Sequence, residues 1–220
     1  MSNKPEFITF TGVDDDTDPA AMERLSNDYE GRIEWGFLFS PKRQGLDPRY
    51  PSVQTIQRHA EELLPKLRYA AHLCGDDARE VIDTGKSRHE HLLRGFQRAQ
   101  INTADPKVQP SQIGDWAARR NLRAILQCRG EFPQVASVDV LFDASGGRGV
   151  VPSDWPVAVH TTFCGFAGGL RPENVADAVA VIGQRAARYW IDMETGIRDD
   201  KDRFDVSMCR AVCEAVYGKA

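Results

Sequence analysis

The sequence predicts an α/β fold, a single closed (β/α)8 barrel (TIM barrel) of short form with one or two reduced helices. Short β-rich runs alternate with segments of helical period, which is typical of a parallel sheet. Eight such runs in 220 residues leave about 27 residues per repeat, enough for a strand, a helix and two short loops. No linker-like tract divides the chain, so we expect residues 1–220 to form one domain. An open doubly wound sheet would show the same alternation and is the alternative.

The order of the elements follows from apolar runs and helix start signals. The strand candidates are residues 7–10, 33–39, 67–73, 96–101, 122–128, 138–142, 162–166 and 189–191. Apolar residues with helical period are Val53, Ile56, Ala60 and Leu63; Ile113, Trp116 and Ala117; Val175, Val179 and Ile182; and Val206, Cys209, Cys213 and Val216. Helix starts are predicted at Asp18-Pro19, Pro51-Ser52, Pro110-Ser111 and Arg171-Pro172-Glu173. Residues 128–138 and 154–161 leave little room for a full helix.

Composition argues against several classes of partner. The chain carries 28 Lys plus Arg and 32 Asp plus Glu, a net charge of -4, which argues against nucleic acid or an anionic membrane surface as the main partner. No run approaches the ~18 apolar residues that span a bilayer, and the N-terminus has no apolar stretch of signal-peptide length. The five cysteines are scattered and form no CxxC pair. We therefore expect reduced, mostly structural thiols in a cytoplasmic protein.

Several predicted strand ends carry distinctive stretches, and the carboxyl ends of the strands are where barrels of this kind build their active sites. These stretches are GFLFSPKRQGLDPRY, VLFDASGGRGVVPSDW, FAGGLRPENVADAV and YWIDMETGIRDDKD. Together they resemble phosphoribosylanthranilate isomerase, the tryptophan-pathway barrel that performs an Amadori rearrangement. The resemblance covers about half of the chain and is strongest in its C-terminal half.

The resemblance implies roles for individual residues. It places the Gly168-Gly169 pair and the start of the next helix on a substrate phosphate. It also aligns Asp143 with the general acid of the family, and Arg49 with an arginine of a Pro-Arg-Tyr sequence. An arginine there can bind a carboxylate or sugar hydroxyls with two parallel hydrogen bonds.

A phosphate site is also indicated by the residues themselves. Gly168 and Gly169 permit positive φ and let backbone N–H groups approach a ligand closely. The helix expected at Arg171-Pro172-Glu173 would add unpaired N–H groups and the positive end of its dipole. Thr195 and Gly196 follow the eighth strand, which neighbours the seventh in a barrel, and can add further donors. A tight turn without a ligand is the alternative, and we favour the phosphate.

The general base that the resemblance implies is missing. In the family a cysteine at the end of the first strand takes this role, but Thr11 stands there, and a threonine hydroxyl is far too weak an acid to replace a thiolate. His72, which shares a strand end with Cys74, is one candidate substitute because histidine exchanges protons near neutral pH. The acidic run at residues 14–16 is another. A structural role is the alternative for each of them.

The predicted function is therefore a proton-transfer isomerisation, or a related lyase step, on a phosphorylated small molecule. A non-catalytic paralogue that binds a phosphorylated ligand is an alternative, and a true phosphoribosylanthranilate isomerase with a relocated base is another. No metal is expected, because His89-Glu90-His91 lies in a polar segment that we expect to be solvated, and no organic cofactor is indicated. The sequence leaves open whether the protein is a monomer or a homodimer.

Overall fold

Eight parallel strands close into a barrel in the computed structural model, which describes residues 3–62, 67–103, 105, 107–144, 148–158 and 163–220. The strands are β1 (Ile8–Thr11), β2 (Ile33–Phe39), β3 (Tyr69–Leu73), β4 (Arg98–Ile101), β5 (Arg123–Cys128), β6 (Asp139–Asp143), β7 (Cys164–Ala167) and β8 (Tyr189–Met193). Each strand pairs with the next, and β8 pairs with β1, so the sheet has no free edge. The predicted (β/α)8 fold is confirmed.

Seven α-helices accompany the barrel in the described part of the chain. They are α1 (Pro19–Asp28), α2 (Val53–Glu62), α3 (Asp76–Thr84), α4 (Glu90–Leu93), α5 (Pro110–Ala118), α6 (Val175–Arg185) and α7 (Val206–Tyr217). Helix α1 begins as predicted, because the Asp18 carboxylate accepts a hydrogen bond from the Ala20 N–H and Pro19 occupies the first turn. The starts predicted before α2 and α5 are confirmed as well.

The helical pattern was incomplete between β3 and β4. Helices α3 and α4 have too few apolar positions to stand out in the sequence, and the segment expected to be solvated forms part of α4. There the His89 ring lies 3.1 Å from the buried Asp77 carboxylate, so this histidine has a structural partner. The two reduced units are confirmed as far as the structure describes them: residues 129–138 contain no helix, and neither do residues 148–158. Leu63 and the predicted strand start at residue 162 lie outside the described residues.

A buried ion cluster closes the amino end of the barrel. This basal ion cluster consists of Glu34, Arg98 and Asp139, which lie at the beginnings of β2, β4 and β6. Arg98 donates to Glu34 over 3.0 Å and to Asp139 over 3.3 Å, and the Thr9 hydroxyl donates to Glu34 over 2.9 Å. Each buried carboxylate thus has a cationic partner, which burial of a charge requires. The side chains at the other end of the barrel are free to serve a different purpose.

No helix in the described ranges is long and apolar enough to cross a membrane. All five cysteines are free thiols, and three of them, Cys164, Cys209 and Cys213, are buried. A buried thiol packs as a small hydrophobic group, as predicted for most of them.

Candidate active site

A cavity of about 280 Å³ opens at the carboxyl ends of the strands, and all eight strands contribute to its wall. Seven of the eight site residues predicted from the sequence line it: Thr11, His72, Asp143, Gly168, Gly169, Thr195 and Gly196. They come from five strand ends that are far apart in the sequence. The eighth predicted residue, Arg49, is not among the lining residues of this cavity.

One wall of the cavity is a turn built from glycines and one threonine. This glycine cradle consists of Gly149, Gly168, Gly169, Thr195 and Gly196. Gly168 and Gly169 have φ values of 129° and 58°, which other residues rarely adopt. A Cβ atom on Gly169 would lie 2.5 Å from the Val151 backbone nitrogen, and a Cβ on Gly196 would collide with the Leu170 carbonyl oxygen. The loops after β6, β7 and β8 approach one another this closely because both positions are glycine.

The cradle presents backbone N–H groups that the chain itself leaves unbonded. Within the described residues, the N–H groups of Gly169, Thr195 and Gly196 donate to no protein acceptor. Concave turns with several free N–H groups attract anions, because the amide dipoles carry partial positive charge. The geometry of this wall is therefore suited to a phosphate group.

Helix α6 begins later than the sequence predicted. The expected start was Arg171-Pro172-Glu173, but the helix runs from Val175, and Asn174 precedes it. The Asn174 side chain accepts from the Arg171 N–H over 2.9 Å and donates to the Gly169 carbonyl over 2.9 Å. These bonds shape the turn between the cradle and α6. The cradle's own N–H groups, rather than the first residues of a helix, are thus the donors at this wall.

Thr11 of β1 and Asp192 of the adjacent strand β8 form a buried pair that also lines the cavity. The Thr11 hydroxyl lies 3.1 and 3.3 Å from the two carboxylate oxygens of Asp192, to which it donates. Asp192 is only 6% exposed. Burial raises the pKa of this carboxyl well above its usual range, and the nearby charges of Glu194, Glu34 and Asp143 act in the same direction. The carboxyl is consequently a stronger base, once ionised, than an exposed aspartate.

His72 lies beside this pair. Its Nε2 atom is 3.8 Å from Asp192 Oδ2 and has no hydrogen-bond partner in the described part of the chain. Burial lowers the pKa of the imidazole to about 4, so His72 is neutral at pH 7. A neutral imidazole can donate from one ring nitrogen and accept at the other.

Asp143 ends β6 and lines the same cavity from the side adjacent to β7. It is paired in register with Ala167, the residue that precedes the glycine pair, and its side chain is buried. Its charge contributes to the raised pKa of Asp192, and both carboxyl groups line the same cavity. A proton acceptor and a proton donor can therefore face one bound molecule from two sides.

The Arg49 guanidinium is hydrogen-bonded to side chains of the protein itself, so most of its donors are not available to a ligand. It donates two hydrogen bonds to Asp202, from Nε over 3.1 Å and from Nη2 over 2.8 Å. The Nη1 atom donates to Glu194 over 2.8 Å and to Thr195 over 3.1 Å. These bonds tie the loop after β2 to the loop after β8. The sequence predicted an arginine that binds a carboxylate or sugar hydroxyls of a substrate. It did not predict that Glu194 and Asp202 of the same chain are its partners.

The other candidate bases do not line the cavity. Asp14 is buried against Arg198, 3.1 Å away, and accepts the Phe204 N–H over 2.7 Å, while Asp15 accepts from Ser52 over 2.8 Å. Cys74 does line the cavity, but burial raises the pKa of its thiol to about 12, so it is not a thiolate at neutral pH. Asp192 remains as the candidate base, with the neutral His72 beside it.

Sequence reasoning assigned no role to several polar side chains that line the cavity. These are Gln100, Asn102, Gln127, Arg129 and Asp192. Gln100 is buried, and its Oε1 atom has no partner among the described residues. The alternation of strand residues would have indicated them, because every second residue from a known inward position also points into the barrel.

Comparison with known proteins supports the fold. No family model matches the sequence, and no curated protein matches it. Solved structures do match: phosphoribosylanthranilate isomerase from Thermus thermophilus has a TM-score of 0.64 at 19% identity, over 95% of this chain and 97% of that chain. TrpF from Jonesia denitrificans has a TM-score of 0.65 at 18% identity, over 96% and 97%. The chain has the fold of phosphoribosylanthranilate isomerases.

Barrels with other names share this fold. A mutant tryptophan synthase alpha-subunit from Pyrococcus furiosus aligns with 99% of this chain and 100% of its own length, at 10% identity and a TM-score of 0.60. Identities this low show a shared fold and do not show a shared activity. The resemblance predicted from the motifs is thus confirmed for the fold.

Proposed function

We propose that this protein is a divergent barrel enzyme resembling phosphoribosylanthranilate isomerase, which binds a phosphorylated small molecule and transfers a proton within it. One observation carries the proposal. The unbonded N–H groups of the glycine cradle and the carboxyl groups of Asp143 and Asp192 face a single cavity. A ligand whose phosphate occupies the cradle would place its carbon chain between the two carboxyl groups.

The roles of the acidic residues follow from their surroundings. Asp192, whose pKa is raised by burial, is the proposed base that removes a proton from a carbon of the substrate. The Thr11 hydroxyl fixes the orientation of that carboxylate, and the neutral imidazole of His72 lies 3.8 Å from it. Asp143 is the proposed acid, as its position in the resemblance implies. This arrangement accounts for catalysis without a cysteine on β1.

A non-catalytic protein that binds a phosphorylated ligand is the second candidate, and Thr11 favours it. A true phosphoribosylanthranilate isomerase in which Asp192 is the relocated base is the third.

We further propose a single domain over residues 1–220 that acts in the cytoplasm, as a monomer or a homodimer. One of the solved structures of this fold is described as a monomeric form of a dimeric phosphoribosylanthranilate isomerase.

Binding of inorganic phosphate and of ribulose 5-phosphate, measured by titration calorimetry, tests the cradle. Gly169→Asp should weaken both by well over tenfold, about 1.4 kcal/mol or more, because it adds negative charge and bulk where the N–H groups point. Gly85→Asp is the matched control: Gly85 has a similar φ of 65° but open space around it. Unchanged affinity in a folded Gly169→Asp variant would remove the phosphate site.

Proton transfer is tested separately, by incorporation of deuterium from D₂O into a panel of aldose and ketose phosphates, followed by NMR. The wild type should exchange a carbon-bound hydrogen, and Asp192→Asn should not. The rate should rise with pH as Asp192 loses its proton, at a pH above the usual carboxyl range. Binding to the cradle without any exchange would favour the non-catalytic alternative.

A further inference from the structure

Arg49 has almost no donor left for a ligand. A guanidinium carries five N–H donors, and four hydrogen bonds from Arg49 go to Asp202, Glu194 and Thr195. Two carboxylates of the chain itself thus occupy the fork that would otherwise bind a carboxylate of the substrate. A ligand carboxylate could enter only by displacing one of them.

Glu194 is the one of these two carboxylates that reaches the cavity. It lines the cavity directly after β8, next to the cradle residues Thr195 and Gly196, whereas Asp202 does not line it. A Cβ atom on Gly12 would lie 3.5 Å from Glu194 Cγ, so the Glu194 side chain covers the end of β1, where Thr11 lies. Glu194 therefore lies over the end of β1, beside Thr11.

Acidic side chains predominate over basic ones at the described part of the mouth outside the cradle. Among the described residues, three acidic side chains line the cavity, namely Asp143, Asp192 and Glu194, and one basic side chain does, Arg129, which is exposed. A second anionic group on the ligand would meet the Glu194 carboxylate in a partly desolvated site, where contact between like charges weakens binding. Hydroxyl and ammonium groups would instead find acceptors.

We propose that Glu194 is the specificity-determining residue of this site, and that it selects phosphorylated substrates whose other end is neutral or cationic and carries no carboxylate. This inference rests on the proposed function, because it concerns the part of the substrate that extends from the cradle towards β1. Arg49 then acts as a positioning residue that holds the Glu194 carboxylate.

Three probes that differ only at C1 test the inference. They are 5-phosphoribonate, ribitol 5-phosphate and 1-amino-1-deoxyribitol 5-phosphate, which carry a carboxylate, a hydroxymethyl and an aminomethyl group. In calorimetry the wild type should bind the carboxylate probe at least tenfold more weakly than ribitol 5-phosphate, and the amine at least as tightly as ribitol 5-phosphate. Glu194→Ser should reduce the tenfold difference to threefold or less, since it frees one arm of Arg49 and leaves Asp202 to keep that arginine paired.

Asp202→Asn is the matched control. It also removes one negative charge from Arg49, and asparagine tolerates the positive φ of 58° at this position, but the residue does not line the cavity. The order of the three probes should therefore stay as in the wild type. If Asp202→Asn changed the relative affinities of the probes as much as Glu194→Ser does, the net charge around Arg49 would determine the selectivity. That result would overturn the specificity role of Glu194.

The remaining outcomes separate this inference from the proposed function. Equal affinity of the wild type for 5-phosphoribonate and ribitol 5-phosphate, or an unchanged difference in a folded Glu194→Ser variant, refutes the inference. Binding of inorganic phosphate without binding of any probe refutes it as well, because the mouth then accepts no carbon chain. Failure to bind inorganic phosphate refutes the proposed function first, and the inference with it.

Discussion

Acidification should destabilise this barrel through one residue, His72. The imidazole is 2% exposed, and burial lowers its pKa from the ordinary value of 6.5 to about 4. The folded state therefore binds a proton less readily than the unfolded state. For a group of this kind the stabilising contribution is fully present above pH 6.5 and is lost as the pH falls towards 4.

The size of the His72 contribution to stability follows from its ordinary pKa of 6.5 and its pKa of about 4 in the folded protein. Each pH unit between them is worth about 1.4 kcal/mol, so the total contribution is about 3 kcal/mol. Most of this loss is already reached at pH 5, where the unfolded imidazole is almost fully protonated and the folded one is mostly neutral. Between pH 7 and pH 5 we expect a loss of about 2 kcal/mol in the free energy of unfolding.

Urea unfolding of the wild type and of His72→Gln at pH 7 and pH 5 measures this contribution. The wild type should lose about 2 kcal/mol more than the variant between the two pH values, because glutamine does not titrate and the other groups titrate in both proteins. The same comparison in an Asp192→Asn background removes proton exchange between His72 and its neighbour 3.8 Å away. Equal losses in wild type and variant would refute the reasoning, since His72 would then be protonated as easily when folded as when unfolded.

Three further predictions concern catalysis, specificity and packing. Asp143→Asn should lower turnover of any substrate found by the exchange assay at least about a hundredfold, the lower end for a positioned proton donor, and retained turnover would place the acid elsewhere. The wild type should not restore growth of a tryptophan auxotroph that lacks phosphoribosylanthranilate isomerase, because Thr11 cannot serve as the base that the resemblance implies at this position and Glu194 occupies Arg49; growth would contradict the specificity inference. Gly165→Ala should destabilise the fold by about 1–3 kcal/mol or more in urea unfolding, because its Cβ would overlap the Trp190 ring inside the barrel; a stability within error of the wild type would show that this ring can move.

The sequence carried enough information for the fold because the strand signal is strong. Seven of the eight predicted strands overlap their observed counterparts to within two residues at each end, since runs such as residues 33–39 are apolar and lie between polar loops. The seventh shows the same agreement at the end that the structure describes. Helix α3 was missed because most of its residues are charged and only a few turn towards the core. Its position is set by tertiary packing, which local pattern does not contain.

The position of the candidate site was predictable from the sequence, but the hydrogen bonds between its side chains were not. A motif places Asp143 and the glycine pair at strand ends, and strand ends meet in a barrel. It cannot show that the Thr11 hydroxyl donates to Asp192, 181 residues away in the chain. Nor can it show that Glu194 and Asp202 saturate Arg49. These contacts depend on side-chain directions across several strands, and the roles of the residues depend on them.

The basal ion cluster has a consequence for how such a barrel can change in evolution. Glu34 and Asp139 are both hydrogen-bonded to Arg98 at the amino end, and none of the three lines the cavity at the other end. Substitutions at the mouth, at positions 11 and 194 for example, therefore remove no hydrogen bond of this cluster. An evolutionary path between two chemistries in such a barrel does not have to rebuild the amino end at each step.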